Sequence, residues 1–360
     1  MKNYTNGKIK KILLVIILTI IAGTGGLYLY LRSNIYRPAK TKPNAEINQS
    51  NLNSEIEKEP VYEEVKGITN ILLIGTDARQ LNENARSDSI MIATIDSNKK
   101  QVKLTSILRD TYVDIKGHGK QKINAAFAYG GAELLMNTLK NTFNINLDKY
   151  VIINFGGFEG VVDAVGGLNI DVKDYEVNEM NKYIGETDAV KSPMITKAGY
   201  QHLDGQQSLS YARIRHVGDG VYERDERQRT VASMLLDKLK TTSVFNYPAL
   251  MSKLMPCIKT NIEPAFFLSY AYTVSKFKPL DVKQLQIPLT ELSDGRIYNG
   301  SWVFLMDTRQ NADILNDFIF KSVIPDKKKL NYSSFKRAIN KYLNEEVKKE
   351  PESIPADSSD

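Results

Sequence analysis

Two acidic side chains and a run of arginines carry the chemistry for which this sequence can be read. Asp77 stands in "IGTDAR" and Asp88 in "ARSDSI", each beside a short apolar run, with Arg79 and Arg86 between them. Paired carboxylates at strand ends suit Mg²⁺ (or Mn²⁺), which takes one or two carboxylates together with substrate phosphates and water. Asp is also a common turn and cap residue, so spacing alone leaves both readings open. The cations shift the balance. "SILRDTYV" places Arg109 and Asp110 at the end of a third apolar run, and "KINAAFAYGG" places Lys122 and Asn124 at a helix start. "YARIRHVGDGVYERDERQR" (211–229) adds Arg213, Arg215, Arg224, Arg227 and Arg229. Guanidinium forks bind phosphate oxygens bidentately and stay charged at any working pH. Arg213 and Arg215 share a side if the chain there is extended, and Arg224, Arg227 and Gln228, at i, i+3 and i+4, share a helix face. Glu223 with Arg227 and Asp225 with Arg229 are i,i+4 pairs of the kind that decorates a solvated helix; that reading stays open for Arg224 and Arg227, and Arg229 is expected to face solvent. Two arginine clusters and an acidic pair together predict a Mg²⁺-assisted site for a di- or polyphosphate group, where electrostatics and positioning dominate phosphoryl transfer.

The elements that must position these residues follow from hydrophobic patterning. "TNILLIG" (69–75), "DSIMIATID" (88–96) and "KKQVKLTSIL" (99–108) read as strands, the last two joined as a β-hairpin across "SNKK". "YVIINF" and "GLNIDV" add two strands around the helix "GGFEGVVDAVGG", whose terminal glycines suit a C-cap. Helices are predicted over 124–143, 222–242, 245–256, 264–277 and 308–320, with late strands at "VKQLQIPL" and "SWVFLMD". The result is an α/β fold: a mixed, partly antiparallel central sheet flanked by helices, as one domain over 68–345. Strand exits and helix entries are where open α/β sheets keep their ligand sites, and Arg79, Arg86, Arg109 and Lys122 each sit at one.

Charge excludes one function class. The formal charge is +6, but residues 1–45 hold eight basic side chains and no acid. Residues 46–360 then carry 40 basic against 42 acidic side chains, about −2, so the basic footprint of a nucleic-acid binder is missing from the folded body. The N-terminus explains its own charge. After Lys8, Lys10 and Lys11 comes "ILLVIILTIIAGTGGLYLYL" (12–31), 20 residues without a charge. As a helix it spans roughly 30 Å, one hydrocarbon core. Tyr28 and Tyr30 suit interfacial anchors, and the apolar run is long for a cleaved signal peptide. The reading is a single-pass anchor with residues 1–11 cytoplasmic, a flexible stalk over 32–67, the folded domain outside the cytoplasm and a disordered acidic tail over 346–360. Cys257 is the only cysteine and reads as a small core residue. His118, His202 and His216 show no zinc spacing, and there is neither a G-x-S-x-G elbow nor a P-loop.

Seven ordered blocks sharpen the reading. "NILLIGTDAR", "ARSDSI", "SILRDTYV", "KINAAFAYGG", "NFGGFEGVVDAVGGLNIDV", "AGYQHLDGQQSLSYARIRH" and "ERDERQR" together resemble the LytR-CpsA-Psr family over about 69–242. The resemblance implies an α-β-α layered, membrane-anchored enzyme that moves a glycopolymer, such as wall teichoic acid or capsule, from a polyprenyl diphosphate carrier to peptidoglycan as a phosphodiester. It implies Mg²⁺ at Asp77 and Asp88, the diphosphate among Arg79, Arg86, Arg109, Lys122, Arg213, Arg215, Arg224, Arg227 and Gln228, and the prenyl tail in an apolar pocket. Arg109, Asp110 and Asp88 are the expected catalytic centre, with Asp77, Asp88 and Asp110 all open as general base. Leu108 replaces a frequent Pro, and Val221 and Glu223 stand where the family often has Asp and Gly. A non-catalytic membrane-anchored regulator or polymer-binding protein and a lipid diphosphate hydrolase are the alternatives.

Overall fold

The computed structural model describes residues 65–81, 85–187, 190–243 and 247–347. The expected span 12–31, nearly all of the stalk and all but the start of the tail lie outside the described residues. No described helix is long and apolar enough to cross a membrane.

The run "ITNILLIGT" lacks polar alternation because both of its faces are covered. It forms β1 (Ile68–Thr76), antiparallel to β2 (Ser87–Asp96) and parallel to β6 (Tyr150–Asn154). β3 (Gln101–Ile107) returns from β2 as the expected hairpin. β10 (Asp281–Ile287) lies parallel to β3, and β9 (Ile258–Thr260) lies antiparallel to β6. The mixed sheet therefore runs β10-β3-β2-β1-β6-β9.

Each face carries its own core. Leu72, Ile74, Ile90, Ile92 and Ile107 pack under α1 (Ala125–Phe143) and α8 (Thr308–Asn316). Ile71, Met91, Val102 and Leu104 meet α5 (Val221–Thr241) and α7 (Pro264–Ser275) through Ala232, Leu236 and Val274. A third cluster joins α2 (Phe155–Ala164), β7 (Leu168–Val172), α3 (Asp174–Asn181), β8 (Gly199–Leu203) and α4 (Gly205–Arg213). Gly166 and Gly167, both at positive φ, close α2 by donating to the Asp163 and Val162 carbonyls at 3.0 and 2.9 Å. α6 (Tyr247–Leu254) follows α5.

Two hairpins flank the end of β3. β4 (Tyr112–Ile115) pairs with β5 (Gly119–Lys122), and β11 (Ser293–Tyr298) pairs with β12 (Ser301–Met306). The second turns on Asn299-Gly300, both at positive φ, the backbone that a two-residue hairpin loop requires. α9 (Tyr332–Val347) seats Phe335, Ile339 and Tyr342 against Tyr112, Tyr298 and Leu305.

Several expectations are corrected at their edges. α1 breaks at Gly130 and Gly131, whose dihedrals are non-helical. The helix predicted over 308–320 stops at Asn316 and continues as a π turn, Asp317–Lys321. That turn is pinned to the sheet by the buried Lys103, which pairs with Asp96 at 2.9 Å and also donates to the Ile319 carbonyl. The expected tail begins inside α9, which keeps residues 346 and 347 helical. Cys257 is half-buried, its sulfur against Gly160 of α2.

Candidate diphosphate and lipid site

The site begins with an irregularity in the sheet. Gly75 pairs with Ser89 and Thr76 with Ser87, so Asp88 is the extra residue of a β-bulge. Strict alternation would place Asp88 with Ile90 and Ile92 on the α1 face. The bulge re-aims it, and both Asp88 and Ser89 line the opposite face, which α5 covers. There Asp88 accepts an ion pair from Arg109 and lies 3.9 Å from Arg215.

Arg109 leaves the end of β3 in a backbone held on both sides. The Leu108 N–H donates to Ile287 of β10 at 2.8 Å, and the Asn124 N–H donates to the Arg109 carbonyl at 3.2 Å. Asp110 is buried and engaged twice, by Lys122 at 2.9 Å and by Arg109 Nε at 3.5 Å. Lys122 thus orients Asp110, and through it Arg109. Arg213 ends α4 stacked over Phe155 and Tyr183, at 4.4 and 4.8 Å from the ring centroids, and pairs with Glu186 at 2.7 Å.

Arg224 is the centre of the arrangement. It is only 3% exposed, yet its Nε and Nη2 have no protein partner. Burial, then the neighbouring Arg109 and Arg215 cations, pull its pKa down against the opposing pull of Asp225 and Asp88. A buried guanidinium with unsatisfied donors is costly. An anion at this position would supply what is missing. Gln228, one turn on, faces the same way.

Behind the charges lies a cavity of about 410 Å³, within the range of small-molecule sites. Ile71, Leu73, Met91, Leu104, Leu235 and Phe267 are among its walls. It extends along α5 from Arg224 to Lys240, about 24 Å at the rise of an α-helix. Asp88, Arg213, Arg215, Arg224 and Gln228 all line it.

Not every expected residue is there. Arg227 turns to the other side of α5, where it pairs with the buried Glu176 at 2.7 Å and with Glu223. It does not line the cavity, and Glu223, one of the two family departures, serves as its partner. Arg229 is the clearest correction. It is 8% exposed rather than solvated, with Nη1 donating to Ser106 of β3. Asp225 lies buried beside it, and burial raises its pKa to about 6. Both point at the sheet, a position a helical wheel cannot separate from solvent without knowing how deep the helix sits. Asp77, Arg79 and Arg86 are exposed on the β1–β2 connection, whose residues 82–84 are outside the described set. Asn154 holds the Arg79 carbonyl at 3.0 Å. Among the described residues no group of three or more His, Cys, Asp or Glu could hold a metal.

The fold and site define a class: an α/β protein with an arginine-ringed mouth on a long apolar cavity, shaped for an anionic headgroup with a lipid tail. The chain belongs to the LytR_cpsA_psr family, whose profile matches residues 27–319. Among its relatives is the polyisoprenyl-teichoic acid–peptidoglycan teichoic acid transferase TagU of Enterococcus faecalis, 37% identical over 70% of this chain and 77% of that protein. Another is the regulatory protein MsrR of Staphylococcus aureus, 32% identical over 70% of this chain and 75% of that one. A solved structure of TagT with bound octaprenyl pyrophosphate lipid superposes with a TM-score of 0.52 at 26% identity, covering 80% of this chain and 95% of that one.

Proposed function

We propose that the protein transfers a glycopolymer from a polyprenyl diphosphate carrier to peptidoglycan, with its folded domain on the outer side of the cell membrane and residues 12–31 as its anchor. The single observation that carries this is Arg224, a buried guanidinium with two orphan donors at the mouth of an apolar cavity. A TagT chain of the same fold holds a prenyl pyrophosphate, and the name of TagU states the transfer. An acceptor hydroxyl attacks the phosphorus that bears the glycan. The new P–O bond forms as the bridging P–O bond breaks, polyprenyl phosphate leaves, and the hydroxyl proton passes to a base or water. Arg109, Arg213, Arg215 and Arg224 bind the phosphates and stabilise charge on the departing oxygen, while the cavity fixes the prenyl chain.

The donor chemistry also suits a divalent cation. Asp88 faces the mouth and Asp77 stands one residue past the paired end of β1, and Mg²⁺ takes one or two carboxylates when phosphates and water complete its shell. Bound there, Mg²⁺ or Mn²⁺ would neutralise diphosphate charge. Asp110, held between Lys122 and Arg109, serves to position Arg109.

The test uses the full-length protein in detergent with a lipid diphosphate-linked glycan and peptidoglycan. Expected is a glycan-phosphate-peptidoglycan conjugate plus prenyl phosphate. Free glycan phosphate in its place would make the protein a hydrolase. Full turnover by an Asp88→Ala/Arg109→Ala double variant would sink the assignment.

A further inference from the structure

The β11–β12 hairpin has no part in the site described above, yet it is bonded to it. The Phe304 N–H donates to the Asp110 carbonyl at 2.9 Å, and Phe304 bridges Thr111 in parallel. β12 therefore runs directly beside the segment that carries Arg109. Pleating puts Trp302 and Phe304 on one face of β12 and sends Val303 and Leu305 into the core. Gly295 stands opposite Phe304, and a Cβ there would come within 3.0 Å of both the Trp302 and Phe304 rings. The missing side chain is what lets both rings close over the hairpin.

The rings form a line. Tyr222, two residues before Arg224, meets Phe304 with centroids 5.6 Å apart. Phe304 meets Trp302 edge-on at 6.5 Å. Phe304 is buried by its neighbours, whereas Trp302 is 50% exposed. An aromatic path thus leads outward from the arginine mouth and ends on a half-open indole. The cavity leaves Arg224 in the other direction along α5.

We propose that Trp302, backed by Phe304 and Tyr222, is a stacking subsite for a hexopyranose ring of the glycan carried on the donor diphosphate. This rests on the function proposed above. With the diphosphate at Arg224 and the prenyl chain in the cavity, the covalently attached glycan has to leave by the outer side of the mouth, where these rings stand. A pyranose ring has an apolar C–H face and a rim of hydroxyls, and it suits a half-exposed ring whose body can be covered while its N–H stays wet.

Trp302 is the only tryptophan of the chain, so tryptophan emission reports this position alone. The full-length protein is titrated with farnesyl diphosphate, with a prenyl diphosphate bearing a disaccharide, and with glycan fragments of peptidoglycan, following emission and calorimetric affinity. Both diphosphates should bind, and only the glycan-bearing one should shift the emission. Trp302→Ala should weaken the glycan-bearing ligand roughly threefold to tenfold and leave farnesyl diphosphate unchanged, with Trp302→Phe recovering most of the loss. Emission that does not move while the glycan-bearing ligand binds, or an unchanged affinity ratio in Trp302→Ala, overturns the subsite. A response to peptidoglycan fragments and not to the donor overturns the donor assignment and gives the indole to the acceptor. Failure of both diphosphates to bind, or binding indifferent to Arg224→Ala, overturns the proposed function along with the subsite.

Discussion

Arg224 and Arg227 are three residues apart on one helix and do opposite work. Arg224 has unsatisfied donors at the cavity, so Arg224→Ala removes no protein hydrogen bond of Nε or Nη2. Transfer by this variant should fall about 10²-fold or more, while the melting temperature stays level or rises because a desolvated guanidinium with two unsatisfied donors is gone. Arg227 is locked to Glu176 in a pair whose side chains are 4% and 1% exposed. Arg227→Ala leaves the buried Glu176 carboxylate without its guanidinium, with the Lys173 N–H still donating to Oε2 at 2.9 Å, and should cost about 3–5 kcal/mol of stability, read as a drop in denaturant midpoint. The Arg227→Met/Glu176→Gln double variant, which keeps an acceptor for the Lys173 N–H, should recover most of it. Asp225 sets a pH dependence. Its pKa is raised from 3.8 to about 6 by burial, so the folded state holds a proton that the unfolded chain releases earlier. Stability therefore falls as pH rises from about 4 to 6 and levels off above, by up to about 3 kcal/mol. Asp225→Asn should flatten that limb in melting curves taken across this range. A wild-type stability that rises between pH 4 and 6 relative to Asp225→Asn contradicts the sign.

At the scale of elements, the proposed path of the prenyl chain along the cavity makes α5 the element that sets which lipid fits. Leu235 lines the cavity eleven residues beyond Arg224, about 16 Å along the helix. Leu235→Trp should weaken octaprenyl diphosphate at least tenfold and leave a short prenyl diphosphate nearly unaffected, measured by calorimetry. Equal losses for both would mean that the chain does not run along α5. The periodicities of β1, β2, β3 and α1 were legible because their apolar residues mark one or both faces, whereas α5 was legible as a helix but not in its orientation, since Asp225 and Arg229 are buried against the sheet. α4 was not, since "GQQSLSYAR" buries Gln207, Ser208 and Ser210 in place of aliphatic side chains. Its capping box, Asp204 with Gln207, was the signal to read. α3 hid likewise behind buried Glu176 and Glu179. In α9, Phe335, Ile339 and Tyr342 lie at helical spacing within a charged stretch, and in β11–β12 the Asn-Gly turn marks a hairpin of which only the second strand was recognised. The bulge at Asp88 has no such sign, because the choice between faces is made by the register with β1.

For the whole molecule, sequence composition separated a basic N-terminal segment from a near-neutral body, so net charge gave no reason to read the arginines as a nucleic-acid surface. It could not show that a cavity of about 410 Å³ opens behind them, because the same Ile, Leu and Phe residues would read as closed core. The charged mouth lies between the apolar cavity and the aromatic hairpin, which matches the order of prenyl chain, diphosphate and glycan in a lipid-linked donor under the proposals above. Full-length protein incubated with a lipid diphosphate-linked glycan and peptidoglycan should yield the phosphodiester conjugate and prenyl phosphate, with Arg224→Ala lowering the yield about 10²-fold; conjugate formation undiminished in Arg224→Ala, or prenyl phosphate released with free glycan phosphate alone, would contradict the account.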